Sequence, residues 1–148
     1  MPTDELPAPS PEHPLSGSCL CGAVRFRITA PFASAGYCHC THCQKRTGTT
    51  HSVNGRVPRS GFELLAGEDR LRAFQPAGGV PKLFCATCGG HLFSGDPFTD
   101  EHVAVRFGAL DGDPGIRPQW HQFVAYAAAW ESIPDDGLPR FPEQRPVA

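Results

Sequence analysis

The chain has seven cysteines, and all of them lie in three short groups. The groups are Cys19-Leu-Cys21, Cys38-His-Cys40-Thr-His-Cys43 and Cys85-Ala-Thr-Cys88. Thiols this close in sequence do not build a disulfide framework, but they can converge on one metal ion. Zinc prefers four ligands in a tetrahedron, with a Zn–S distance of about 2.3 Å. We therefore expect the seven thiolates to form one closed site of four and one site of three with a free coordination position.

The first and third groups fit a closed site. Cys19 and Cys21 project from the same face of an extended chain, so both sulfurs can reach one ion. The Cys85-Ala-Thr-Cys88 spacing suits a tight turn, and Gly89 allows the positive φ that such a turn needs. We predict a structural zinc held by Cys19, Cys21, Cys85 and Cys88. The alternative is four ordinary buried cysteines.

The second group fits an open site. Cys38, Cys40 and Cys43 are so close in sequence that closing the loop around a metal costs little entropy. Three protein ligands leave one position for water or substrate, as in catalytic zinc sites. Three thiolates make zinc a weak Lewis acid, so binding a substrate thiolate suits the site better than activating water. We predict that Cys38, Cys40 and Cys43 hold a catalytic zinc that receives a small thiol.

Two other interpretations of the second group stay open. A histidine could complete a second structural zinc, giving a non-catalytic binding or structural module. His39 lies between two cysteines of one face and should point away from the metal, whereas His42 is better placed to approach it. The cluster could instead serve in thiol redox chemistry or metal buffering. His51, His91 and His121 carry no signal individually, and the sequence assigns no general acid.

Composition excludes several classes of protein. A net charge of −2 and scattered basic residues argue against nucleic-acid binding. The longest apolar run is far shorter than the roughly 18–20 residues that span a bilayer. The sequence shows no signal-peptide pattern, so we expect a cytoplasmic protein in which clustered cysteines bind metal rather than form disulfides.

The 148 residues predict one folded domain. We place it at residues 16–141, between a disordered proline-rich arm, residues 1–15, and a loose tail, residues 142–148. Sixteen glycines and sixteen prolines indicate many turns and short elements.

Alternating apolar residues predict a mainly β fold. We expect a strand around Val24–Ile28, a hairpin of Phe62–Leu65 with Leu71–Phe74, and strands Lys82–Phe84 and Leu92–Phe93 around the third cysteine group. Val103, Val105 and Phe107 should share one strand face. A short helix is expected at Gln44–Thr47, and Gln122–Trp130 is ambiguous between helix and strand.

The ordered motifs resemble a known family. Gly17-Ser-Cys-Leu-Cys-Gly-Ala-Val-Arg-Phe26, Tyr37-Cys-His-Cys-Thr-His-Cys43 with Thr47-Gly48, and Phe84-Cys-Ala-Thr-Cys-Gly89 are similar to those of the glutathione-dependent formaldehyde-activating enzyme family, which includes centromere protein V. Gly108-Ala-Leu-Asp111 and Asp136–Phe141 resemble its later signatures.

The resemblance implies a β-tent fold of zinc-linked antiparallel sheets. It implies a structural zinc at the four-cysteine site and a catalytic zinc at Cys38, Cys40 and Cys43. The implied activity is a carbon–sulfur lyase reaction that interconverts S-hydroxymethylglutathione with formaldehyde and glutathione. Lys45, Arg46, Arg56 or Arg59 could bind the carboxylates of glutathione, and Trp120 and Trp130 could line a pocket, although solvated cations and core packing are the simpler expectations. The sequence does not define the oligomeric state.

Overall fold

The computed structural model describes residues 7–146, which form two β-sheets and one α-helix. The first sheet has the strand order β1-β2-β5, and the second has the order β10-β3-β4-β9-β8-β7-β6. The strands are β1 Leu15–Ser18, β2 Arg25–Ile28, β3 Ser34–Cys38, β4 Ser52–Pro58, β5 Phe62–Ala66, β6 Leu71–Phe74, β7 Lys82–Cys85, β8 His91–Ser94, β9 His102–Arg106 and β10 His121–Gln122. The helix α1 is Thr41–Thr47. The predicted mainly β fold class is confirmed.

The core lies where the two sheets face each other. In β2, Phe26 and Ile28 are fully buried while Arg25 and Arg27 are exposed, which confirms the predicted alternation. Phe26 meets Phe93 of the second sheet edge to face, with ring centroids 5.1 Å apart. Phe62 makes a similar contact with Phe93. These aromatic contacts hold the first sheet against the strands that carry the cysteine groups.

The predicted hairpin of Phe62–Leu65 with Leu71–Phe74 is wrong. Both strands exist, but β5 pairs with β2 in the first sheet and β6 pairs with β7 in the second. A 3₁₀ turn at Glu68–Arg70 carries the chain from one sheet to the other. Gly67 has φ 89° and lies tightly against the backbone of Ala23 and Val24, so the chain leaves the first sheet there instead of turning back.

Other predicted elements are present, but two of them begin or end at different residues from those predicted. Both strands predicted around the third cysteine group are present, and they pair with each other, with Lys82 opposite Ser94. Strand β9 ends at Arg106, so Phe107 begins a 3₁₀ turn rather than continuing the strand face. The helix begins at Thr41, three residues before the predicted start, and therefore includes Cys43.

After Gln122, the segment up to Trp130 forms neither an α-helix nor a strand. Strand β10 ends at Gln122, and a single 3₁₀ turn follows at Val124–Tyr126. Phe123 between them has φ 58°, a left-handed conformation that interrupts both regular structures.

The chain ends contact the domain over the described residues. Leu15, predicted to be in the arm, is buried and begins β1. The predicted loose tail is hydrogen-bonded to the domain as far as Arg145, whose N–H donates to Gln122. Residues 1–6 and 147–148 lie outside the described residues, and the predicted domain limits stay a prediction. Within residues 7–146, no helix has the length and apolar character that crossing a membrane requires.

Candidate metal centre

Four cysteines from the two sheets converge on one point. The four-cysteine cluster comprises Cys19, Cys21, Cys85 and Cys88, and its sulfurs lie within 4.8 Å of one another. The Cys19 and Cys21 sulfurs are 3.6 Å apart, and those of Cys21 and Cys85 are 3.8 Å apart. A tetrahedron with Zn–S bonds of about 2.3 Å has sulfurs roughly 3.8 Å apart, so the donor set fits a zinc ion.

The β7–β8 turn positions the second half of this cluster. Gly89 has φ 76°, as the sequence predicts, and its N–H donates to the Cys85 carbonyl. Backbone hydrogen bonds from Cys21, in the loop after β1, and from Gly90, in the turn, lower the pKa of Cys88 to about 6, so the two segments together favour a thiolate there.

The start of helix α1 positions the other three thiols. The three-cysteine cluster comprises Cys38, Cys40 and Cys43, whose sulfurs also lie within 4.8 Å of one another. Cys38 ends β3, and Cys40 caps the helix by accepting a hydrogen bond from the Cys43 N–H. Gly48, with φ 70°, ends the helix. Within residues 7–146, no histidine or carboxylate joins this cluster as a fourth ligand.

A line of polar side chains supports the sulfur of Cys43. Ser52 donates its hydroxyl hydrogen to Cys43 Sγ at 3.1 Å, and Asn54 donates to the Ser52 oxygen at 3.0 Å. Arg106 donates to the Asn54 carbonyl oxygen at 2.7 Å. Strands β4 and β9 bring these residues together, since Asn54 is directly opposite Arg106 in the ladder.

Electrostatics favour negative charge at Cys43. The pKa of this thiol lies well below its ordinary value because Cys38 and Cys40 donate hydrogen bonds to its sulfur, and Ser52 and Arg106 lower it further. The pKa of Cys38 is raised, first by its hydrogen bonds to Cys40 and Cys43 and then by burial. Among the three thiols, negative charge is therefore favoured most at Cys43.

Two cavities open beside the three-cysteine cluster. A cavity of about 330 Å³ is lined by Cys38, Cys43, Lys82, Arg106 and Trp120, among others. A smaller cavity of about 200 Å³ shares several of these lining residues and is also lined by Cys40, His42 and Arg46. Among the described residues, no aspartate or glutamate lines either cavity. Burial lowers the pKa of Lys82 and of Arg46, and neighbouring Arg106 lowers both further, because three cations are crowded together.

Unpartnered donors point to what these cavities bind. Within residues 7–146, the buried side-chain nitrogens and oxygens without a hydrogen-bond partner are Arg46 Nη1, Arg106 Nε and Trp120 Nε1. All three are donors, and all three residues line the two cavities. A buried donor without a partner costs about 1–3 kcal/mol, so the cavities suit a ligand that is rich in acceptors and negatively charged.

The predicted ligand-binding residues are only partly at this site. Arg46 and Arg56 line the cavities, whereas Lys45 is exposed and Arg59 donates to the Asp100 carbonyl instead. Trp120 lines the larger cavity, and Trp130 is 73% exposed. Lys82 and Arg106 carried no signal in the sequence, because their place beside the thiols comes from the pairing of distant strands.

Three of the histidines, His39, His51 and His121, form a group separate from the two cysteine clusters. His39 turns away from the cysteines, as predicted: its Nδ1 is 3.0 Å from Glu131, and its Nε2 is 2.8 Å from His121 Nδ1. His121 Nε2 is 2.7 Å from Asp136. Burial lowers the pKa of His39, although Glu131 opposes that shift. His42 is exposed beside the smaller cavity. Sequence reasoning missed this group because its members are far apart and form no spacing motif.

Comparisons with known proteins agree with these motifs. The sequence profile of the family described as glutathione-dependent formaldehyde-activating enzyme matches residues 14–126. A proposed enzyme of this description from Halomonas elongata is 29% identical over 126 residues, covering 80% of each chain. One from Emericella nidulans is 24% identical over 81% of this chain and 61% of its own length. One from Sordaria macrospora is 28% identical over 56% of this chain and 38% of its own length.

The chain thus spans less than two thirds of the length of these two fungal relatives. A solved structure of a Rhodobacter sphaeroides protein has a similar fold, with a TM-score of 0.54 and 22% identity over 85% of this chain and 98% of that one. The profile match covers most of the described residues and all seven cysteines. The chain therefore belongs to the glutathione-dependent formaldehyde-activating enzyme family.

Proposed function

We propose that this chain is a zinc-dependent carbon–sulfur lyase that interconverts S-hydroxymethylglutathione with formaldehyde and glutathione. One observation carries the proposal. Three convergent thiols with no fourth protein ligand within residues 7–146 adjoin cavities lined by five cations and three unpartnered donors. The three cations nearest to one another are Arg46, Lys82 and Arg106. Glutathione, a thiol with two carboxylates and several carbonyl groups, offers the acceptors and negative charge that such a cavity lacks.

The donor sets suit zinc at both cysteine clusters. Thiolates select soft or borderline metals, and sulfur tetrahedra are typical of zinc. We assign a structural ion to Cys19, Cys21, Cys85 and Cys88, and a catalytic ion to Cys38, Cys40 and Cys43. When bound at the second cluster, zinc would keep an incoming substrate sulfur deprotonated near neutral pH.

The residues of the chain would bind and orient the substrate. Arg46, Lys82 and Arg106 would pair with its carboxylates, because charged donors bind carboxylates more strongly than neutral donors do. Ser52 would hold the Cys43 sulfur in one orientation. In the cleavage direction the carbon–sulfur bond breaks with both electrons going to sulfur. The hydroxyl group of the adduct loses its proton and becomes the carbonyl group of formaldehyde.

Exchange NMR tests this proposal. Formaldehyde and glutathione also react without a catalyst, so the informative quantity is the increase in exchange rate that the protein causes. Zinc-loaded protein is mixed with formaldehyde and glutathione, and the exchange rate between free and adduct glutathione is measured. We expect wild-type protein to exceed the protein-free rate and Cys40→Ala to return to it. Thr41→Ala, which changes an exposed neighbour, is the matched control and should keep the wild-type rate.

The same experiment separates the alternative functions. A wild-type rate equal to the protein-free rate would overturn the lyase proposal and favour a binding module. Repeating the measurement with cysteine and 2-mercaptoethanol defines the thiol preference. Acceleration restricted to thiols without carboxylates would contradict the role given to the three cations.

A further inference from the structure

A cluster of two histidines and a glutamate lies apart from the cysteines, and the proposed lyase function does not use it. The His–Glu cluster comprises His39, His51 and Glu131, whose ligand atoms all lie within 4.8 Å of one another. His39 Nδ1 is 3.0 Å from one oxygen of Glu131, and His51 Nδ1 is 3.3 Å from the other. The side chains of His39 and Glu131 are 1% and 6% exposed.

The hydrogen-bond chain through this cluster has one hydrogen fewer than its contacts require, and a proton or a metal cation could fill that place. Glu131, His39, His121 and Asp136 are joined by three contacts of 3.0, 2.8 and 2.7 Å. Each contact needs one hydrogen between its two heavy atoms. Two neutral imidazoles bring one N–H each, and ionised carboxylates bring none. One contact is therefore left with two lone pairs facing each other unless a further cation enters.

The contacts allow the deficit at either end of the chain, and a metal bound by His39 and Glu131 would place it at the Glu131 end. If the ionised Asp136 accepts the His121 Nε2–H, then His121 Nδ1 accepts the His39 Nε2–H. The lone pair of His39 Nδ1 then faces Glu131. His51 Nδ1 also lies at this end, 3.3 Å from Glu131 and 2.8 Å from the Thr50 hydroxyl oxygen, so three ligand atoms converge there.

We propose that His39, His51 and Glu131 form a third metal site, for a divalent first-row transition ion. Two imidazoles and one carboxylate form a donor set found in zinc and non-haem iron sites. The charge of the ion balances the two carboxylates at the ends of the chain. His121 and Asp136 act as positioning residues, since a ligating histidine commonly donates its other N–H to a partner that orients the ring.

The surroundings supply both rigidity and access. Tyr37 stacks on His121 with ring centroids 4.6 Å apart and meets His51 edge to face at 5.1 Å, which fixes both rings. The His51 side chain is 33% exposed and lines a cavity of about 510 Å³ together with Thr47 and Thr49. An ion can therefore enter from the His51 side, through a cavity that Arg46 and Arg106 also line.

Cobalt binding tests this site separately from the lyase function. Co²⁺ bound to cysteine gives a thiolate charge-transfer band, whereas Co²⁺ bound to histidine and carboxylate does not. Full-length protein is dialysed against Co²⁺, bound metal is counted, and the band is recorded. We expect Glu131→Gln and His51→Gln each to lose one bound ion per chain while the charge-transfer band keeps its intensity. Glu101→Gln and His13→Gln, at exposed positions, should bind as the wild type does.

A further variant tests the positioning role. Asp136→Asn should weaken Co²⁺ binding at this site by about 10–100-fold without removing it. Wild-type protein in which every bound Co²⁺ contributes to the charge-transfer band would overturn the proposal, and so would a Glu131→Gln variant that binds as many ions as wild type. An added proton would then supply the missing charge. Loss of the charge-transfer band in wild-type protein would instead count against the lyase proposal, leaving this site intact.

Discussion

The sulfur of Cys43 is held by a line of three side chains that ends at a buried arginine. Ser52 donates to the sulfur, Asn54 donates to Ser52, and Arg106 donates to Asn54. Partners that orient a metal ligand are worth about 10–100-fold in metal affinity. The three-cysteine cluster should therefore depend on residues that never touch the metal.

We expect Ser52→Ala to weaken zinc binding at the three-cysteine cluster by about 10–100-fold. The hydrogen bond to Cys43 is lost, and the Asn54 amide loses the acceptor of one of its hydrogens. Zinc affinity is measured by competition with a chromophoric chelator. Ser60→Ala, at an exposed position, is the control. Equal affinities for the two variants would show that Ser52 does not orient the ligand.

We expect Arg106→Gln to raise the KM for glutathione by about 10–100-fold, the equivalent of a hydrogen bond to a charged group, worth roughly 1.5–3 kcal/mol. Arg106 is 6% exposed, and its Nε has no partner within the described residues. The measurement is exchange kinetics with glutathione and with 2-mercaptoethanol, which has no carboxylate. A loss confined to glutathione identifies carboxylate binding. A similar loss with both thiols would show that Arg106 acts only through Asn54 and Ser52.

The sequence predicts the two cysteine clusters but not the residues around them. Cys38, Cys40 and Cys43 are neighbours in the chain, so their spacing alone indicates convergence. Lys82 and Arg106 reach the same cavities only because β9 is a shared neighbour of β4 and β8 in the sheet. Glu131 and Asp136 reach His39 and His121 from a segment without regular secondary structure. Long-range placement of this kind has no local signature in a single sequence.

At the scale of elements, alternation identifies strands better than their partners. The alternating residues of β5 and β6 are recognisable, yet the two strands join different sheets. Phe62 of β5 packs against Phe26 and Phe93, and this burial determines where the strand pairs. A short connection suggests a hairpin, but burial of the large aromatic side chains in the core determines the pairing.

Strand β3 depends on the absence of a side chain at Gly36. A Cβ at this position would overlap the indole ring of Trp120, which covers the strand and lines the larger cavity. We expect Gly36→Ala to lower the free energy of unfolding by about 1–3 kcal/mol, as overpacking does. Urea unfolding measures this change. The control is Gly108→Ala, where a Cβ would meet nothing within 4 Å. Equal stabilities would mean that Trp120 moves aside at no cost.

Across the whole molecule, the two cysteine clusters close loops of very different length. The four-cysteine cluster joins the loop after β1, in the first sheet, to the β7–β8 turn in the second. Its members Cys21 and Cys85 are 64 residues apart. The three-cysteine cluster lies within a single local turn. Loop-closure entropy grows by about 0.6 kcal/mol for each doubling of the loop, so the long-range cluster should constrain the unfolded chain more, by roughly 2 kcal/mol.

We therefore expect Cys88→Ala to lower the Tm of zinc-loaded protein further than Cys40→Ala does, by about 4–8 °C. The two residues are a matched pair, because both are half-buried and each is one ligand of its cluster. Thermal unfolding is followed by circular dichroism with zinc present and again after exhaustive chelation. Removing the metal should bring the two variants to a similar Tm, since the difference arises from metal-closed loops. Equal Tm losses in the presence of zinc would show that the four-cysteine cluster does not connect the sheets through a metal.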